Sequence, residues 1–196
     1  MSINRLDQQI QFILEIDKLK SILRRTSLIN EARRENSAEH SWHIAVMAVL
    51  LSEHANEALN LAHVVKMLLI HDIVEIDAGD TFAYGGVSKV DQQAQETIAA
   101  ERLFGLLPID QAVELRALWE EFDAMSTPEA KFANAVDRLM PILHNYQNQG
   151  GTWREHGVTL AKIEQRVSPI SDGSVELGQL TQAILDDAVA RGLINR

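Results

Sequence analysis

An imidazole and two carboxylates stand close together in a mostly apolar stretch of this sequence. His71 and Asp72 follow residues 64–70, which are apolar apart from Lys66, and Glu75 comes three positions after Asp72. Removing such groups from water is costly unless a partner compensates them, and a bound metal ion is a usual partner. The spacing therefore indicates a metal site.

Two further candidate ligands lie in other apolar stretches. His40 begins one upstream, and Asp137 lies inside another downstream. If the three helix faces converge, two neutral imidazoles and two carboxylates meet at one point, and their two negative charges match one divalent cation. Nitrogen and oxygen ligands without sulfur suit Mn, Fe, Co, Ni, Zn or Mg. We expect one such ion, held by His40, His71, Asp72 and Asp137.

Each of these residues has a plainer interpretation when it is taken alone. A single His71 on an apolar helix is typical of a hydrogen-bonded core histidine, and a single Asp137 is typical of a buried salt-bridge partner. Their order, on three separate apolar helices, favours the metal site. The other histidines are expected to have only surface or core roles: His43, His54, His63, His144 and His156.

Composition excludes several classes of protein. The 196 residues are 46% hydrophobic and 23% charged, which is ordinary for one globular domain. The net charge of −10 argues against sequence-independent binding to a nucleic-acid polymer. The absence of cysteine excludes disulfides and thiolate ligands. No long apolar run or signal peptide is present, so we expect a cytoplasmic protein outside the membrane.

Helical periodicity recurs along the chain, without an alternating strand pattern. We predict an all-α single domain over residues 1–196. The two most apolar segments, 41–55 and 61–75, are expected to form central buried helices, and residues 76–88 are expected to form a loop that carries function. The other predicted helices cover an amphipathic stretch from 6 to 23 and the ranges 90–107, 110–124, 128–147, 152–166 and 175–191.

Several stretches of the sequence resemble a known family. The relevant stretches are RENSAEHS at 34–41, HDIVE at 71–75 with Gly79-Asp80 behind it, and LWEEF at 118–122 leading to EAKF at 129–132 and Asp137. They resemble the HD-domain metal-dependent phosphohydrolases, and in particular the small branch that acts as 5′-deoxynucleotidases. The resemblance is strongest over residues 15–145, and the C-terminal helices within 152–191 are expected to pack on that part.

The resemblance implies a role for each candidate residue. It implies a helical bundle around one metal held by the four ligands above, with Glu75 as the catalytic residue and a homodimer as the common assembly. The substrate is expected to be a small nucleotide, a (deoxy)nucleoside 5′-monophosphate. Arg24 aligns with an arginine near the substrate, and Arg25 follows it where some relatives carry an aromatic residue. Asp80 and Lys89 match further substrate-contacting positions.

Other functions share part of this pattern. A phosphodiesterase, a nucleoside triphosphohydrolase or an alarmone hydrolase would keep the metal and change the substrate, although Ile76 stands where alarmone hydrolases carry a second acidic residue. The same two histidines and carboxylate also suit iron–oxygen chemistry. A non-catalytic regulator with a structural metal is the remaining alternative, and such a site has no need of Glu75.

Overall fold

The computed structural model describes residues 4–85 and 88–195, and the side chain of Lys89 lies outside that description. Helices dominate, as predicted, and one antiparallel pair of strands accompanies them. The strands are β1 (Leu23–Ser27) and β2 (Arg34–Asn36). The helices are α1 (Arg5–Ile16), α2 (Ser37–Leu51), α3 (Leu61–Ile70), α4 (Glu75–Ala78), α5 (Lys89–Phe104), α6 (Ile109–Ala124), α7 (Pro128–Gln147), α8 (Gly151–Glu155), α9 (Leu160–Val167), α10 (Ile170–Gly173) and α11 (Val175–Ala190), with 3₁₀ turns at Asp17–Ser21 and Ser52–His54.

Helix α7 lies at the centre of the molecule. Thr127 caps it by accepting a hydrogen bond from the Ala130 amide, and Pro128 occupies the first helical position, where its missing N–H costs nothing. Most side chains of α7 are buried, and α2, α3, α6, α10 and α11 all pack against it. A residue on α7 is therefore held from several sides, which makes this helix a rigid support for Asp137.

The prediction that residues 41–55 form a helix buried all round was wrong. One stripe of α2 is exposed: Trp42 (64%), Val46 (39%), Val49 (52%) and Leu50 (68%). The hydrophobic pattern of the sequence identifies the apolar faces of a helix. It does not show which of these faces is covered by another element. Although α2 and α3 are strongly apolar, within residues 4–85 and 88–195 no helix is long and apolar enough to span a membrane.

The chain departs from a continuous helix beside the candidate metal ligands. Residues 61–75 were predicted as one helix, but α3 ends at Ile70 and tight turns follow, in which the Ile73 amide donates to the Ile70 carbonyl and the Glu75 amide donates to the Asp72 carbonyl. These bonds span three residues rather than four, so the backbone winds more tightly than in an α-helix. Glu75 then begins α4.

Three other segments differ from their predictions. The amphipathic stretch from 6 to 23 ends as a helix at Ile16, and the hairpin of β1 and β2 was not predicted. In β1 the more buried side chains are Arg24 and Thr26, so polar residues point inward and the usual apolar alternation is missing. The predicted helix 152–166 is two helices, α8 and α9, separated by a turn that contains Gly157 with a positive φ.

Close packing of α10 on α7 depends on Gly173. A Cβ atom at this position would lie 2.6 Å from the Lys131 carbonyl carbon and 2.8 Å from the Phe132 Cα atom. Both neighbours are backbone atoms of α7, which cannot rotate away as the end of a side chain can. The two helices can approach this closely only because residue 173 lacks a side chain.

Gly173→Ala is expected to lower the free energy of unfolding by about 1–3 kcal/mol, the usual cost of overpacking, as measured by urea denaturation. Gly178→Ala is the matched control, because its Cβ would meet mainly the Ser171 hydroxyl, which can rotate away. Equal stability of the two variants would contradict the close approach of α10 to α7.

Candidate metal centre

His40 and Asp137 meet where α2 crosses α7. A capping box begins α2: the Asn36 side chain accepts from the Glu39 amide, and the Glu39 carboxylate accepts from the Asn36 amide. This cap fixes the first turn, which carries His40. Its Nε2 lies 2.9 Å from Oδ1 of Asp137, and both side chains are buried.

His71 and Asp72 reach the same point from the turn after α3. The His71 Nδ1 lies 2.8 Å from the Leu68 carbonyl oxygen, which can only accept, so this nitrogen carries the proton. Nε2 faces the carboxylates, 2.9 Å from Asp72 Oδ1 and 3.9 Å from Asp137 Oδ1. Three elements distant in sequence thus bring the four predicted ligands together.

The residues present fit a divalent cation. Nε2 of His71 is buried and has no hydrogen-bond partner among the described residues, despite its short distance to Asp72. Donor atoms of His40, His71 and Asp72 all lie within 4.8 Å of one another. Ligands at about 2.0–2.2 Å from one ion lie at such separations. A cation at this point would satisfy the orphaned nitrogen.

The electrostatics of this cluster also favour a cation. Burial opposes the charge on His71, but Asp72 outweighs burial and raises the pKa of this imidazole to about 9. Burial likewise opposes ionisation of Asp72, yet His71 and Arg24 hold its pKa at about 2. The cluster therefore attracts positive charge, which a metal ion supplies when it displaces the proton from the imidazole.

Glu75 stands beside the four ligands and is held by a serine. The Ser37 hydroxyl donates to Glu75 Oε2 over 2.6 Å, and Nη1 of Arg24 lies 4.0 Å from Oε1. Burial raises the pKa of Glu75 well above its ordinary value, and Asp72 adds to the rise. The position of this carboxyl group and its raised pKa therefore suit it to proton transfer.

Arg24 points from β1 into the same cluster. Its Nη1 donates to Asp72 Oδ2 over 2.9 Å, and its Nε lies 3.8 Å from Glu35 Oε2. Burial disfavours the charged form, but Asp72 and Glu75 outweigh it and keep the pKa of this guanidinium above its ordinary value. A permanent positive charge thus borders the candidate metal point.

The cluster opens into a cavity of about 430 Å³. Asp80 lines it, and burial raises the pKa of this carboxyl. Arg25 also lines it, although its side chain is largely exposed. The side chain of Lys89 lies outside the described residues. The predicted loop contributes aromatic walls, Phe82 and Tyr84, whose ring centroids are 5.5 Å apart.

Sequence reasoning missed three residues that support these groups. Ser37 was not selected, because a serine at a helix start is ordinarily a cap, a role that Asn36 fills here. Glu35 faces Nδ1 of His40 at 3.5 Å. Phe122 stacks at a tilt on the His71 ring, with centroids 4.6 Å apart. The contacts of Ser37 with Glu75 and of Phe122 with His71 join segments that are far apart in the chain.

Comparison with known proteins identifies the family. Residues 16–177 match the HD domain family. The chain belongs to this family. Among solved structures, a predicted metal-dependent phosphohydrolase from Magnetospirillum magnetotacticum is 55% identical, with a TM-score of 0.94, and the match covers 98% of this chain and 96% of that one.

Curated relatives of this HD domain protein carry a more specific name. The 5′-deoxynucleotidase HDDC2 of Homo sapiens is 31% identical over 68% of this chain, and the match covers 65% of the human protein, just under two thirds of its length. The 5′-deoxynucleotidase YfbR of Salmonella arizonae is 24% identical over 82% of this chain and 84% of its own. These matches agree with the resemblance noted from the sequence.

Adding a divalent ion such as Mn²⁺ to the chelator-treated HD domain protein is expected to raise its melting temperature. Binding at one hundred times Kd stabilises the folded state by about 2.7 kcal/mol. Asp137→Asn should reduce the shift, because it removes charge from the ligand set. Asp77→Asn should retain it, since Asp77 pairs with Arg102 away from the site. Differential scanning fluorimetry measures the shift in melting temperature. The same shift in both variants would contradict this metal centre.

Proposed function

We propose that this protein is a divalent-metal-dependent phosphohydrolase that removes the 5′-phosphate from (deoxy)nucleoside monophosphates. One observation carries the proposal: two imidazoles and two carboxylates converge at one point, with the Glu75 carboxyl group and the guanidinium of Arg24 beside it in one cavity. The names of the relatives support the same activity. The lack of cysteine fits action in the reducing cytoplasm.

His40, His71, Asp72 and Asp137 would hold the ion. When bound, a divalent cation supplies a polarised water as the nucleophile and neutralises charge on the phosphoryl group. The identity of the metal is open among Mn, Fe, Co, Ni, Zn and Mg, because nitrogen and oxygen donors accept all of them.

Arg24 binds the phosphate in this proposal. A guanidinium can donate two parallel hydrogen bonds to phosphate oxygens. Arg24 already points at the ligand cluster through Asp72, 2.9 Å away, so a phosphate there would lie within its reach. Arg25, at the rim, would add positive charge around the anionic substrate.

Glu75 supplies the proton that the leaving 5′-oxygen needs. The water oxygen forms a bond to phosphorus, the bond from phosphorus to the 5′-oxygen breaks, and Glu75 protonates that oxygen as it leaves. Glu75 then recovers a proton from the attacking water. Burial raises the pKa of Glu75, which suits a group that donates a proton, and the Ser37 hydrogen bond keeps its carboxyl group turned toward the site.

The sugar and base would occupy the rest of the cavity. Asp80 lines the wall and can accept a hydrogen bond from a sugar hydroxyl, while Phe82 and Tyr84 offer aromatic surface to the base. A cavity of about 430 Å³ falls in the range typical of small-molecule sites. A nucleoside monophosphate therefore suits its size and lining.

The test is phosphate release from a panel of nucleoside 5′-monophosphates by chelator-treated protein to which Mn, Co, Mg, Ni or Zn is restored singly. Glu75→Gln is expected to lower kcat by about 10²–10⁴-fold, the usual contribution of a general acid–base, with metal content unchanged. Asp77→Asn, two residues away on the same helix and paired with Arg102, is the control and should keep full activity.

Release from none of the monophosphates in the presence of every metal would overturn the proposal. Diesters and nucleoside triphosphates belong in the same panel, because cleavage of only those would move the assignment to another phosphoesterase of this family. Full activity of Glu75→Gln would remove Glu75 from the mechanism.

The proposal includes a homodimer joined through α2. The stripe of Trp42, Val46, Val49 and Leu50 follows helical spacing and lies exposed on α2. Packing this stripe against its copy would bury apolar surface and stabilise the pair. The family resemblance points to the same assembly.

Leu50→Glu is expected to convert a dimer, with twice the chain mass of 21.9 kDa, into a monomer. Charge placed in an apolar contact is costly to bury. Light scattering after size exclusion measures the mass. Leu14→Glu on the exposed stripe of α1 is the control, because Leu14 is also 68% exposed but lies on another face. A monomeric wild type, or a dimer that survives Leu50→Glu, would contradict the interface.

A further inference from the structure

A second cluster of metal-ligating side chains lies behind the first. Glu35, His43 and His144 each offer one donor atom, and these atoms lie within 4.8 Å of one another. His43 follows His40 by three residues on α2, and His144 follows Asp137 by seven residues on α7. The two helices that meet at the first cluster therefore meet again about two turns further along α7.

Burial makes this cluster costly as it stands. Glu35 is 2% exposed and His144 is 3% exposed. Nδ1 of His144 is buried and has no hydrogen-bond partner among the described residues. A buried polar atom without a hydrogen-bond partner destabilises the folded state. Burial also lowers the pKa of His144, so its imidazole is neutral near pH 7 and offers a lone pair.

We propose that Glu35, His43 and His144 bind a second divalent metal ion, of the Zn²⁺ type. Two imidazole nitrogens and one carboxylate oxygen form a donor set that zinc accepts, with a fourth position left for water. An ion there satisfies the orphaned nitrogen of His144 and neutralises the buried carboxylate. His43 is only partly buried, which leaves a path from solvent to the site.

This site differs from a two-metal centre with a bridging carboxylate. It shares no ligand with the cluster of His40, His71, Asp72 and Asp137. The two clusters approach each other at Glu35, whose Oε2 lies 3.5 Å from Nδ1 of His40. An ion that fixes Glu35 would therefore fix the ring of His40 from behind, as carboxylates commonly do for metal-bound histidines.

The test counts ions per chain. Full-length protein is treated with a chelator, Zn²⁺ is restored, and native mass spectrometry measures the ions bound. Wild type is expected to hold two, and His144→Gln is expected to hold one. His43→Gln should also hold one, and because this residue is only partly buried the variant stays informative if His144→Gln does not fold. His63→Gln is the matched control and should hold two, since His63 contacts only one carboxylate, that of Glu121.

The outcome separates this site from the first one. Asp137→Asn should lose the ion of the first cluster and keep the second, so that a count of one is expected there as well. A wild type that binds one ion, lost in Asp137→Asn and kept in His144→Gln, overturns the second site and leaves the proposed function standing. Two ions in both His43→Gln and His144→Gln also overturn it.

Discussion

The rest of this structure depends on two buried carboxylates that are almost inaccessible to solvent. Asp72 and Asp137 are both buried, and both lie within 4 Å of Nε2 of His71. Like charges buried together are destabilising unless positive charge is placed among them. Arg24 supplies one such charge and a metal ion supplies the rest. The elements that position the site all help to place positive charge beside these two carboxylates.

The compensation requires elements that are far apart in sequence to close on one point within a few tenths of an ångström. The central position of α7 holds Asp137 rigidly, and the capping box fixes the turn of α2 that carries His40. His71 is anchored through its other ring nitrogen to the Leu68 carbonyl. The ring of His71 is thus held from behind, which leaves its Nε2 directed at the shared point. This arrangement is typical of metal-binding histidines.

Sequence patterns could predict the ligands because chemistry-bearing residues stand out in apolar helices. His71, Asp72 and Asp137 interrupt hydrophobic runs, and the structure brings all of them together with His40. The bounds of α7 follow directly from Thr127 and Pro128 at its start. Local signals of this kind lie within a few residues of what they determine.

Contacts between distant segments could not be predicted in that way. Ser37 bonds to Glu75 across 38 residues, and neither residue carries a signal of the other. The hairpin escaped prediction because Arg24 and Thr26 point inward, which replaces apolar alternation with polar residues that serve the cavity. A functional site thus removes the very pattern by which its strand would be recognised.

Glu35 couples the parts of the site more tightly than any ligand taken alone. Its carboxylate lies 3.5 Å from Nδ1 of His40 and 3.8 Å from Nε of Arg24, and it also belongs to the cluster with His43 and His144. With 2% exposure it has almost no water to screen it. Its charge therefore lies beside a candidate metal ligand, the guanidinium that borders the cavity and the second histidine pair at once. One buried carboxylate thus joins the candidate metal centre to the second cluster.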